Sequence, residues 1–197
     1  MKIITDSQRK IIDAFFLIAK EQPNQRITFQ MLADQSGMRR ESIYRYHFSN
    51  LEELIEKVHD IIDNEISSAF EEFVNNGDLN LLKFLSYSVL PCLYEKKDWL
   101  KILYGTNVDP GWSNFLEERY FPLIECYLNK KGKNDIIPNF FLSKVIVKEF
   151  LAIVAVWLTD DNPEPASLFQ RKFVHIFQQS PAAMLTHIPS DFESGKH

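Results

Sequence analysis

The sequence predicts an all-α chain. Apolar residues recur at spacings of three and four along most of its 197 residues, glycine is scarce at 6, and the periodic stretches are separated by short Pro-, Asn- and Gly-rich breaks such as GTNVDPG and DDNPEP. An apolar content of 45% with 13% aromatics marks a folded globule. A first helix is read over 6–21, with Ile11, Phe15, Ile18 and Ala19 on its buried stripe and Ala14 alongside; Pro23 and Asn24 end it. Thr28 can cap a second, short helix, because its hydroxyl can accept a bond from an orphan backbone N–H. Met31 and Leu32 follow at three and four residues, with Ala33 beside them, and this helix ends near Ser36. Gly37 stands where the chain must turn sharply, which favours positive φ. Met38 and Ile43 give a third helix its inner face and leave the polar residues of 39–47 outward.

Asn50 with Glu53 has the spacing of a capping box and opens a fourth helix, with Ser49 as the other candidate cap. Leu51, Leu54, Val58, Ile62, Ile66 and Phe73 keep helical spacing, so this helix is expected to run to about 73 and to stop at Asn75, Asn76 and Gly77. It would act as a stiff lever between head and body. The pattern restarts from Asp78 and is expected to stop at Pro91. A short helix is read over 99–104, a longer one over 112–129 with Pro122 as a kink point, and another over 138–158 that is apolar on nearly every side after Val145. ASLFQRKFVHIFQQS forms the last amphipathic helix, ended before Pro181. The domains expected are a head at 1–50, a helical body at 51–187 and a flexible tail at 188–197.

The second and third helices with the glycine between them have the layout of a helix-turn-helix, which lays its second helix in the DNA major groove. Three arginines, two tyrosines and a histidine fall within 39–47, where an inert hairpin would carry only a solvated face. The candidate DNA-binding residues are Thr28, Arg39, Arg40, Ser42, Tyr44, Arg45, Tyr46, His47 and Lys57. Arg40 and Ser42 suit base edges, since arginine can take guanine O6 and N7 together; Thr28, Tyr44, Tyr46, His47 and Lys57 suit phosphates. The formal net charge of −5 does not contradict this. Residues 1–60 hold nine Lys or Arg and nine Asp or Glu, so the acidity belongs to the body. It argues against nonspecific coating of nucleic acid and fits binding through one presented helix.

Residues 5–58 resemble the DNA-binding domain of the tetracycline-repressor (TetR) family of transcriptional regulators. The matching pieces are SQRKIIDAFFLIAKEQ, ITFQMLADQSGM, IYRYHF and NLEELIEKV, in that order. From Gly37 to Phe48 the chain is one residue longer than the family pattern, which leaves open whether Tyr44 or Tyr46, and Arg45 or His47, takes each family role. The resemblance implies a dimeric, sequence-specific regulator, read as a repressor, on a palindromic double-stranded operator. It implies that an effector bound in the body changes DNA affinity. The alternative is a helical adaptor whose body binds a partner protein.

A helix apolar all round must be buried all round, so the helix at 138–158 is expected to meet a second subunit. The resemblance implies a four-helix dimer interface built from the last two helices. The residues expected there are Val147, Leu151, Val154, Ala155 and Leu158, with Leu168, Phe173, Ile176 and Phe177 from the last helix. His175 is read as a core or interface histidine. Tyr87, Cys92, Tyr94, Trp99, Tyr104, Trp112, Phe115 and Tyr127 can line a cavity for a small hydrophobic effector or can pack as ordinary core.

Other classes find no support. No Ser/His/Asp order, paired carboxylates or phosphate-cradling glycine loop points to an enzyme, and no cofactor is implied. Cys92 and Cys126 lack metal-ligand spacing and are read as small buried apolar residues. The opening MKIITDSQRK does not have the make-up of a secretory signal, and the apolar run 151–158 is too short to span a bilayer, so a cytoplasmic protein is expected.

Overall fold

The structure is a computed structural model that describes residues 4–76, 80–132 and 136–179. The fold is all-α, with no strand among the described residues. Helix α1 spans Asp6–Glu21 and opens on a full capping box, in which Thr5 accepts from the Gln8 N–H and the Gln8 side chain accepts from the Thr5 N–H. Helix α2 spans Phe29–Ser36 and α3 spans Arg40–Tyr46. The Thr28 hydroxyl accepts from the Met31 N–H at 3.3 Å. Gly37 takes φ 68°, the left-handed conformation that a turn between two helices needs here. Ile11, Phe15, Leu32, Ile43 and Phe48 close the core of this head.

Helix α4 runs Leu51–Asn76 without interruption, three residues further than its apolar spacing suggested, and packs on α8. Its start divides the expected capping box. Asn50 Oδ1 accepts from the Glu53 N–H at 2.7 Å, but the Glu53 carboxylate reaches past Asn50 to the Ser49 N–H and hydroxyl. Both candidate caps are therefore used.

The next helix does not stop at Pro91. It comprises α5 (Leu81–Phe84), a π turn (Leu85–Val89) and α6 (Leu90–Glu95). In the π turn the Leu90 N–H bonds the Leu85 carbonyl, five residues back. In that register the Ser86 carbonyl would need the N–H of residue 91, which proline lacks. Gln170 Nε2 takes the free carbonyl instead, at 2.9 Å. The proline is absorbed because a side chain from the last helix replaces its missing donor.

Helices α7 (Lys97–Gly105), α8 (Trp112–Lys131), α9 (Asn139–Thr159) and α10 (Ala166–Gln178) complete the body, and α8 and α9 pack extensively against each other. α9 also lies on α7, while α10 packs on the π turn, α6 and α9. Head meets body where Phe16 of α1 stacks on Trp99 of α7, ring centroids 4.7 Å apart and 14° from parallel. The tail expected at 188–197 lies outside the described residues.

Candidate nucleic-acid interface and body cavity

The geometry of α3 follows from one buried side chain. Ile43 is fully buried and Phe48 is 2% exposed, and the Phe48 N–H closes the helix end on the Ile43 carbonyl at 3.0 Å. One apolar anchor in a seven-residue helix turns the remaining positions to solvent. Arg39, Arg40, Tyr44, Arg45 and Tyr46 are exposed, and Ser42 and His47 are half-buried. Tyr44 leans edge-on against Phe29, whereas Tyr46 is 71% exposed. Arg39 caps α3 with its backbone and leaves its side chain unspent. Among the described residues no ion pair engages Arg39, Arg40 or Arg45. Thr28 is exposed at the start of α2, and Lys57 is half-buried on α4.

Arg40 and Tyr44 also border an open groove between the starts of α2 and α4, with Arg26, Thr28 and Ser49 on its other sides. Arg26 was not legible as a candidate, because it lies in a loop with no periodicity to place it. Glu41 and Glu52 share this rim. Glu53 is exposed but engaged by the Ser49 N–H and hydroxyl, which hold its carboxyl below the usual 4.5.

A narrow space of about 40 Å³ lies within the body, lined mainly by α4, the π turn, α8 and α9. Of the aromatic residues expected to line a cavity, Tyr104 and Trp112 do so. The others are used elsewhere. Trp99 joins the head, Phe115 stacks on His59, Tyr127 packs against Phe73, and Tyr94 stacks on Trp157 and bonds the Pro163 carbonyl. Tyr87 is 65% exposed on the outer side of the π turn. The sequence reading missed the polar part of this wall. Asp63, 4% exposed, accepts from Arg119 Nε at 3.1 Å and from the Tyr120 hydroxyl. Burial, then the Asp63 charge, pushes the Tyr120 phenol well above its ordinary value. Beside it, His59 Nε2 and Asp109 Oδ2 lie 2.5 Å apart, joining α4 to the loop before α8.

The apolar faces of α9 and α10 divide in two. Val147, Val154, Leu158 and Phe173 are buried within their own chain. Leu151, Ala155, Ile176 and Phe177 are half-buried, and Leu168 is 64% exposed. Val145 and Val156 extend the open strip, Val156 at 76% exposed. A single chain thus covers more of α9 than its composition suggested. Two further expectations are corrected. Cys126 is exposed on the outer face of α8, not buried, while Cys92 is half-buried and burial raises its thiol pKa. His175 is exposed, because it lies two positions from Phe173 and so nearly opposite it on α10.

Among the described residues no group of His, Cys, Asp or Glu could hold a metal ion, and no helix is long and apolar enough to cross a membrane. No family model and no curated protein sequence matches the chain. The fold is similar to a solved structure described as "Dihydroxyacetone kinase operon activator DhaS", at TM-score 0.51 and 18% sequence identity, over 88% of this chain and 94% of that one. At that identity the likeness establishes the arrangement of helices: the chain shares an all-α fold with a protein described as an operon activator.

Proposed function

We propose that the chain is a cytoplasmic, dimeric, sequence-specific DNA-binding regulator of transcription in the TetR manner. In this reading α3 enters the major groove, and the body carries both the dimer face and an effector site. The observation that carries it is the outward row Arg40, Tyr44, Arg45 and Tyr46, held off one buried Ile43 with its arginines unpaired among the described residues. Likeness to a protein described as an operon activator supports a regulatory role without fixing its sign. Repression is the sign proposed, by occupancy of the operator. Two copies meeting along Val145, Val156 and Leu168 would present two heads to a two-fold-related site.

Selection of bound genomic fragments tests this. The expected result is an enriched pseudo-palindrome whose reporter is repressed by the protein. Recovery of no enriched site would overturn the DNA-binding reading, and a reporter that rises would reverse the sign alone. A second reading, in which a partner protein works the body, is favoured by the cavity. Its 40 Å³ falls far short of the roughly 300–1,000 Å³ of common ligand pockets. Co-purification of a stoichiometric partner that alters operator affinity would decide for it.

A further inference from the structure

We propose that the body cavity takes a small, neutral, largely apolar molecule bearing one oxygen acceptor, held between the Trp112 indole N–H and the Tyr104 hydroxyl. This rests on the reading of the chain as an effector-responsive regulator and names the chemistry of that site. Trp112 is 2% exposed, lines the cavity, and its Nε1 has no hydrogen-bond partner. Buried donors are nearly always bonded, so an orphan on a cavity wall marks a place for an acceptor. Tyr104 lines the same wall, edge-on to Trp112 at 6.1 Å. Burial holds its phenol above the ordinary value, so the hydroxyl keeps its proton and can donate. One oxygen between the two would satisfy the indole and accept from the phenol.

The remaining wall sets polarity and charge. Ile62, Leu85, Val89, Ile146 and Val154 are apolar, and a space so lined favours a ring or short chain over water. Among the described residues Asp63 is the one charged group on the wall, and Arg119 and Tyr120 already hold it. Among the described residues no unpaired cation lines the space to hold an anion, and a bound carboxylate would be buried near Asp63. A cation would find that carboxylate already partnered. The free volume of 40 Å³ is smaller than a ring needs, so the lining side chains must move apart as the occupant enters.

The site also lies next to the lever. Trp112 opens α8 directly after the loop that holds Asp109, and Asp109 is bonded to His59 of α4. His59 itself packs against Trp112, ring centroids 5.2 Å apart. An occupant that draws on the indole therefore acts on the contact joining α4 to the body.

The test uses the full-length protein and three probes: acetophenone, ethylbenzene, which lacks the oxygen, and benzoate. Binding is followed by melting temperature and by the ¹H–¹⁵N resonance of the Trp112 indole, assigned through its loss in Trp112→Phe. Acetophenone should raise the melting temperature, move that resonance and bind about tenfold tighter than ethylbenzene, the order expected for one buried hydrogen bond. Tyr104→Phe should narrow the preference, and Trp112→Phe should abolish it while ethylbenzene still binds. Should Trp112→Phe fail to fold, the wild-type comparison and Tyr104→Phe decide alone. Equal binding of acetophenone and ethylbenzene with an unmoved indole, tighter binding of benzoate, or no stabilisation by any probe would overturn the proposal. Operator binding and sedimentation are measured without probe. If they hold while the probes fail, only the cavity chemistry falls; if the probes bind and no operator is found, the regulator reading falls by itself.

Discussion

At Gly37 the side chain that is absent has open space around it: a Cβ built there meets nothing within 4 Å. Only its φ of 68° excludes other residues. Gly37→Ala should therefore destabilise the head by about 1–2 kcal/mol, the left-handed penalty for an L-residue, without a packing change. Thermal denaturation checks it, and Gly37→Asn should recover part of the loss. Arg40 is exposed, so Arg40→Ala should leave the fold intact. It should relax specificity at one base position by about 1–3 kcal/mol, read by competition binding against substituted operators. Tyr46→Phe, at a 71% exposed residue, should instead weaken all sequences alike. Glu53 adds an acid-side effect. Its pKa is lowered in the fold, so its contribution is present above 4.5 and is lost as pH falls through the lower folded value. Acid titration of Glu53→Gln should lack that component. The turn glycine and the α3 cluster were legible because short-range rules fix them. Arg26 was not, because only the folding of α2 against the start of α4 brings it to the groove.

At the scale of helices, α4 is the element on which a signal would travel in the proposed regulator, and it is pinned by a contact that no local pattern announces. His59 lies between Asp109 at 2.5 Å and the Phe115 ring at 4.2 Å. Asp109 is 7% exposed and also accepts from the Gly111 N–H. His59→Ala would leave that carboxylate buried with half its partners, at a cost of about 1–3 kcal/mol in denaturant unfolding. If the pin transmits, the same variant should separate effector binding from DNA release. The Phe16–Trp99 stack is a second junction, and a double-mutant cycle to leucine should return a coupling of about 0.5–1.5 kcal/mol. Helix bounds were largely legible, since caps and apolar spacing are local. The stop expected at Pro91 was not found, because the replacement donor, Gln170, lies far away in sequence. The Asp63–Arg119–Tyr120 group was likewise invisible, since its members come from α4 and α8.

For the whole molecule, the decisive measurement is association. Phe173 is fully buried in its own chain, so Phe173→Asp would unfold the subunit and say nothing about a dimer. Val156 is 76% exposed, so Val156→Glu should be tolerated by the fold and yet break the proposed interface. Sedimentation should show a wild-type dimer at micromolar concentration and a Val156→Glu monomer with unchanged helicity. Operator affinity should fall with it, and wild-type affinity should drop steeply with salt through phosphate contacts. A wild-type monomer would count against both the interface and the two-headed binding mode. Composition marked α9 as apolar all round but could not divide its faces. That division depends on α7, α8 and α10 lying where they do.

The free Ser86 carbonyl has a consequence for inheritance. Proline at 91 and glutamine at 170 form one device, in which one residue creates a vacancy and the other fills it. A lineage that lost Pro91 would give Ser86 a donor from its own helix and release Gln170 to drift. A lineage that lost Gln170 first would carry an unsatisfied carbonyl until the proline followed. The two positions should therefore change together among descendants of this chain, although they stand 79 positions apart.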